Sequence, residues 1–379
     1  MRHLPKVLIF MLIFPLLSGC WDRREIEDRS FVSAIAIDSA EEEGQAEISV
    51  QIPIPNKVTG GGSGGGGGDS ADGKGPSGPF ELLSGVGKTY TEAMHQIISS
   101  ANDPLFFGNM QVIMISEEQA KKGIEPFMDA LKRTSEVRRQ LYPVVVKGKA
   151  KEALNIKVPS EEIPTNYIRG MLRSGTKNGI FTDVTFGQLL IDMEIPNCQF
   201  PVMNYLEPIE GGYKWDGVAV FNRDKMVGMI HGREDIAGVL QVRTNQRGHV
   251  VIAPRSDGAI AFHPYRSGRK IKVKPDGSIE IHIEVTGFIQ EKTSKDDLSK
   301  VEVIQDVSNQ VATIYQDRMK RLITRSQKEL QADVLNLGKY VRAYQPKFYN
   351  SINWQEEYPN IRITTKYHVT IHRYGISSD

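Results

Sequence analysis

The stretch Ile279-Glu280-Ile281-His282-Ile283-Glu284-Val285 decides how the second half of the chain is built. Apolar and polar residues alternate without a break. That period belongs to a strand with one face in a core and one in water, the mark of an antiparallel sheet. Further on, Ile363, Thr365, Tyr367, Val369 and Ile371 alternate with Arg362, Thr364, Lys366, His368 and Thr370, which predicts a long strand pairing back with earlier ones. Between the two lies a helical pattern from Val301 to Leu337, with Val307, Val311, Ile314, Leu322, Ile323, Leu330, Val334 and Leu337 at helix spacing and Gly338 as the residue past its end. Upstream, Lys214 to Phe221 and Lys225 to Ile230 predict a hairpin around Asn222-Arg223-Asp224. Residues 201–379 therefore read as a C-terminal domain with a large antiparallel sheet packed by long helices.

The first half follows another rhythm. Strand patterns at Phe31 to Asp38, Glu47 to Ile54, Met110 to Ile115 and Leu141 to Val146 are interleaved with helical ones at Thr91 to Ala101, Ile124 to Ser135, Lys149 to Leu154, Pro164 to Gly179 and Phe186 to Met193. Strand–helix alternation predicts a mixed α/β layer domain over residues 20–200. Pro196 to Pro201 reads as the linker, and the whole chain as α+β. Glycine makes up 35 of 379 residues, and 11 of them crowd into Gly60 to Gly78. A segment without large apolar residues cannot bury anything, so 59–79 reads as a flexible glycine-rich loop. Its matches to the hydrolase nucleophile elbow and to dinucleotide spacing are what any polyglycine run produces. Gly85-Val86-Gly87-Lys88-Thr89 imitates the end of a phosphate loop, but Leu82 stands where the first glycine is required.

The N-terminus carries the strongest functional signal. Arg2 and Lys6 form a basic start, and Val7 to Leu17 is apolar apart from Pro15. The run is too short for a membrane span and has the form of a signal peptide over residues 1–19. It closes in Leu17-Ser18-Gly19-Cys20, which resembles the lipobox of bacterial lipoproteins. Cys20 is thus the candidate lipidation residue: its thiolate takes an S-diacylglyceryl group and its amine, freed by cleavage, an N-acyl chain. Two acyl chains hold a protein on a bilayer without help from a polybasic patch. Cys198 is then left without a partner and reads as a small core residue.

Other chemistry finds little support. The formal charge of +1 gives no basic excess for nucleic acid. His368 and His372 would lie ~13 Å apart along a strand, too far to share a metal. Glu41-Glu42-Glu43, Glu161-Glu162 and Asp296-Asp297 fall in polar stretches and read as solvated. Arg318, Lys320, Arg321 and Arg325 on the long helix read as a solvated face, with contact to an acidic partner or membrane surface as the sharper alternative. No catalytic group, metal site or cofactor is expected.

Several motifs together resemble a known family. Cys20-Trp21-Asp22 with Arg24-Glu25-Ile26 is similar to the start of the C-subunit lipoproteins of bacterial spore germinant receptors, the GerAC-like or Ger(x)C family. Further agreement comes from Ile35-Ala36-Ile37-Asp38, Gly108-Asn109-Met110, Ile113 to Ala120, Arg133 with Glu136-Val137-Arg138, Gly217 to Phe221, Lys225 to Gly228, Trp354 and Gly375. The glycine run departs from the family pattern. The resemblance implies a non-catalytic subunit anchored through Cys20 on the outer face of the spore inner membrane. It would work there with a large A subunit and a multi-spanning B subunit in nutrient-triggered germination. Only Cys20 carries over as a site, and whether the subunit binds a nutrient itself stays open. The alternative reading is a solute-binding lipoprotein that captures a small nutrient.

Overall fold

A computed structural model of the protein describes residues 29–54 and 78–373. Cys20, the 1–19 segment, the Trp21 to Ile26 motif, Gly375 and the glycine run from Gly60 to Ser77 lie outside the described residues. The chain begins with strands β1 (Ser30–Phe31), β2 (Ala34–Ser39), β3 (Ala46–Pro53) and β4 (Phe80–Gly87). Helix α1 (Tyr90–Ser100), β5 (Leu105–Phe106), β6 (Val112–Ser116), α2 (Glu117–Lys122), α3 (Glu125–Arg133) and β7 (Tyr142–Val146) follow. Next come α4 (Ala150–Leu154), α5 (Pro164–Lys177), α6 (Phe186–Glu194), β8 (Val202–Ile209), β9 (Gly212–Asn222) and β10 (Lys225–His231). Helix α7 (Arg233–Val239), β11 (Val251–Arg255), β12 (Gly258–Val273), β13 (Ile279–Lys292) and the long α8 (Val301–Lys328) lead to the short helices α9 (Gly338–Tyr344), α10 (Pro346–Ser351) and α11 (Trp354–Glu357), and to β14 (Ile363–Arg373).

Eight strands form the first sheet, in the order β10-β9-β8-β7-β6-β2-β3-β4. Its middle is parallel: β2 pairs with β6, β6 with β7 and β7 with β8. Parallel strands are covered on both faces, which explains the unbroken apolar runs Val112-Ile113-Met114-Ile115 and Val144-Val145-Val146. Ala36, Met114 and Val144 pack on α4 and α5 through Ala153, Leu154, Ile168 and Leu172. The other face gives Ile37, Ile113 and Val145 to a larger core with Phe127, Leu131 and Leu189. Asp38, at the end of β2, is buried and caps α4 from across the fold, its carboxylate accepting the amides of Ala150 (2.7 Å) and Lys151 (2.8 Å).

The expected division at 200/201 falls inside this sheet. Strand β8 bonds to β7 in the register Val144↔Asn204, and the hairpin β9–β10 continues the same sheet to His231. The cause is the apolar run of β8, which finds its partner edge on β7 and offers its other edge to β9. The predicted hairpin itself forms, with Arg223 at its turn in the left-handed region (φ 58°).

The phosphate-loop mimic has a packing explanation. Residues 80–87 form an edge strand under α1, and a Cβ at Gly85 would sit 2.2 Å from the Ala93 carbonyl oxygen. At Gly87 it would sit 2.7 Å from the Ala93 nitrogen. These glycines let a helix lie against a strand. The helix terminus is closed by the chain's own groups: Thr89 Oγ1 accepts from the Glu92 amide (3.1 Å), and the Glu92 carboxylate accepts from the Lys88 amide (2.8 Å).

The second sheet has the order β11-β12-β13-β14. Strands β11, β12 and β13 are antiparallel, but β14 runs parallel to β13, in the register Ile281↔Thr365 and Ile283↔Tyr367. The expected antiparallel sheet thus forms over three strands, and the last strand is added to it in parallel. Helix α8 connects β13 to β14, and a helical crossover returns the chain in the same direction. It buries Val307, Val311, Tyr315, Met319 and Leu322 against Ile279, Ile281, Ile283 and Val285. Tyr315 stacks on Tyr367, with ring centroids 5.2 Å apart. Arg318 is buried rather than on a solvated face. The helix also ends earlier than its pattern: Gln331 takes a left-handed conformation (φ 48°), and Gly338 opens α9 instead of closing α8. Leu330, Val334 and Leu337 are buried all the same, held by irregular backbone.

Candidate functional site: a buried polar junction and the cleft beside it

Where the two sheets meet, the core is not wholly apolar. Helix α6 contributes Asp192, the π-turn Leu240–Thr244 contributes Arg243, and the segment after α8 contributes Asp333 and Asn336. All four are buried. The Arg243 guanidinium donates to Asp192 and to the carbonyls of Phe200 (3.3 Å) and Val334 (3.2 Å). Asp192 also accepts from Gln188 Nε2 (3.0 Å) and Asn336 Nδ2 (3.2 Å). One buried cation thus ties the first sheet's helical layer to the chain that follows α8. Charges removed from water persist when they are paired and hydrogen-bonded, as these are.

Asp333 is the second centre. Its Oδ2 accepts from the Gly338 amide (2.7 Å) and from the Trp354 indole (3.1 Å), while Oδ1 has no partner among the described residues. Burial raises its pKa above 3.8, against the opposing pull of those hydrogen bonds and of Arg243. Cys198 lies alongside, its Sγ 3.7 Å from Asn336 Oδ1, and burial pushes the thiol up as well. Such a thiol is a packed core group rather than a nucleophile. Gly338 is required here, because a Cβ would stand 2.4 Å from Cys198 Sγ and 2.5 Å from Trp354 Nε1.

Beside the junction opens a polar cleft of about 680 Å³, walled by the β9–β10 turn on one side and by residues around α11 on the other. Asn222, Arg223, Gln331, Gln355, Glu356 and Asn360 line it. Gln355 bridges the walls, donating to Asn222 Oδ1 (3.1 Å) and accepting from Arg223 Nε (3.3 Å). Both Arg223 and Gln331 hold positive φ, a conformation that side chains of this size adopt at a cost of about 1–3 kcal/mol. This arrangement offers hydrogen bonding and packing. No group of three or more metal-capable side chains occurs among the described residues. His368 and His372 lie on β14 as a strand places them. No described helix is long and apolar enough to cross a membrane.

Sequence reading found Cys198 and singled out Trp354, but not Asp192, Arg243, Asp333 or Asn336. A signal existed: Asp333 and Asn336 interrupt an apolar run of Ala332, Val334, Leu335 and Leu337, and such polar groups must find partners or stay in water.

The family model of the spore germination protein N-terminal domain matches residues 22–208, and that of the spore germination B3/GerAC-like C-terminal domain matches residues 216–375. The chain belongs to this family, the C subunits of spore germinant receptors. It is 25% identical over 401 residues to the spore germination protein YndF of Bacillus subtilis (strain 168), covering 99% of this chain and 97% of that one. To the spore germination protein KC of the same organism it is also 25% identical, covering 98% and 96%. The putative spore germination protein YfkR is 27% identical over 302 residues, covering 76% and 75%. Among solved structures, the crystal structure of the GerBC protein shares the fold with a TM-score of 0.58 at 17% identity, covering 92% of this chain and 99% of that chain.

Proposed function

We propose that this protein is the lipid-anchored, non-catalytic C subunit of a nutrient germinant receptor. In this reading residues 1–19 are removed as a signal peptide, and Cys20 carries the diacylglyceryl and N-acyl groups. The body stands on the outer face of the spore inner membrane and supports assembly and signalling of the A and B subunits. The observation that carries the reading is the family match along nearly the whole chain, with a lipobox directly ahead of it. Replacing Cys20 with alanine tests the anchor: the variant should leave the membrane fraction and lose most nutrient-triggered germination. Unchanged retention and germination would sink that part.

A second reading, direct capture of a small solute, is favoured by one feature, the polar cleft with its carboxamides, Arg223 and Glu356. Calorimetry of the protein against amino acids and sugars separates the two. Micromolar binding lost in Arg223→Ala supports capture, and silence leaves the subunit as a binding partner of proteins.

A further inference from the structure

The second sheet buries one face under α8 and turns the other outward. Its register fixes what stands there. Lys272, Glu280 and Thr364 make one cross-strand row; Lys270, His282 and Lys366 make the next; Gly268, Glu284 and His368 a third; Arg266, Thr286 and Thr370 a fourth. All lie opposite the inward Ile281, Ile283 and Tyr367, since side chains alternate along a strand. Arg266, Lys270, Lys272 and Lys366 are exposed, and none of the four forms an ion pair among the described residues. Three acids share the face: Glu280, held by Lys274 (2.7 Å), Glu284, and Glu291 in the row of Ala261 and Ile252. The row Lys270–His282–Lys366 sets basic side chains abreast at strand spacing. Lys270 and Lys366 flank His282 from the strands on either side, two strand spacings or about 10 Å apart.

One end of this face is apolar. Tyr265, displaced outward where the β12 register shifts, is 45% exposed and stacks on Phe288, on which His263 also lies. Ile252 on β11 is 54% exposed, paired with Ala261. A face with exposed cations along its length and exposed aromatic and aliphatic side chains at one end has the composition of surfaces that settle on anionic lipid: ammonium groups meet the phosphates, and the apolar groups enter the boundary layer. We propose that the outer face of the β11–β14 sheet rests on an anionic lipid surface, with Arg266, Lys270, Lys272 and Lys366 on headgroup phosphates and Tyr265 and Ile252 at the boundary. The proposal builds on the reading of Cys20 as the anchor. Arg29, the first described residue, is nine residues past Cys20, which keeps it within ~30 Å of the attachment point. A tether alone leaves the body free to turn, and this face sets its orientation.

The lipid-modified full chain in vesicles provides the test, using phosphatidylcholine alone or mixed with phosphatidylglycerol. Amine-reactive labelling read by mass spectrometry gives the rate at each lysine. Lys270, Lys272 and Lys366 should label about fivefold more slowly in the anionic vesicles, the factor expected for a lysine at such a surface. Lys88 and Lys157, exposed on the first sheet's side, should label equally in both. About 0.5 M salt should erase the difference by shortening the Debye length to a few ångströms. In Lys270→Glu/Lys366→Glu, whose changes are on the surface, Lys272 should lose its protection. Equal rates in both vesicles, with the chain still sedimenting, would overturn the face and keep the anchor. Protection seen only in native spore membranes would assign the face to an acidic protein and equally overturn the proposal. Protection in anionic vesicles without sedimentation in neutral ones would support the face and sink the anchor.

Discussion

Arg243 and Asp192 form an ion pair with side chains only 5% and 2% exposed, joining the π-turn after α7 to α6. Removing one partner from a sealed pair leaves a bare charge in the core, a loss of about 3–5 kcal/mol. Arg243→Ala should therefore lower the urea midpoint steeply. Arg243→Met combined with Asp192→Leu should restore more than half of the loss, since both desolvation costs vanish together. A double variant as unstable as the single one would show that the carbonyl contacts of Arg243, not the pair, matter most.

Gly338 gives a second test. A methyl group there collides with Cys198 and Trp354, and overpacking of this kind costs about 1–3 kcal/mol. Gly338→Ala should be destabilised, and Cys198→Ala should recover part of the loss in the double variant by vacating the space of the sulfur. Purely additive effects in thermal denaturation would mean that the backbone moves instead.

Asp333 predicts a pH dependence. Its pKa in the folded state lies above 3.8 because burial disfavours the carboxylate. Below 3.8 both states hold the proton. Above it the unfolded chain releases the proton while the folded one retains it, so stability falls as pH rises through the folded value. Asp333→Asn keeps an oxygen acceptor for Gly338 and Trp354 and removes the titration. The drop in melting temperature as pH rises from 3.8 upward should be smaller in this variant than in the parent. Parallel curves would exclude Asp333 as its source.

How far could these features be read in advance? The alternation of Ile279 to Val285 and of Ile363 to Ile371 is written into the residues, because a half-buried strand needs period two. The direction of β14 was not, since periodicity is the same for either direction and only the intervening crossover decides it. Helical spacing also ran on past the true end of α8. Leu330, Val334 and Leu337 sit where a helix would put them, yet the turn at Gln331 and the bonds to Asp333 deliver them to the core by another path. Strand β4 was hidden by Gly85 and Gly87, whose presence reflects the closeness of α1. The family motifs were legible as words without grammar: Asp38 and Trp354 could be quoted, but their roles as a helix cap and a donor to a buried acid appear only in three dimensions. The proposed anchor at Cys20 is the reverse case: it rests on the sequence pattern and lies outside the described residues.

The unbroken sheet from β4 to β10 has a consequence for dissecting the gene. A fragment ending at residue 200 would leave the apolar β7 edge bare, an invitation to aggregation, while its complement would carry β8, β9 and β10 with nothing to join. Two co-expressed pieces should reassemble soluble protein when the break falls between His231 and Val251, where the chain passes from one sheet to the other, and should precipitate when it falls at 200.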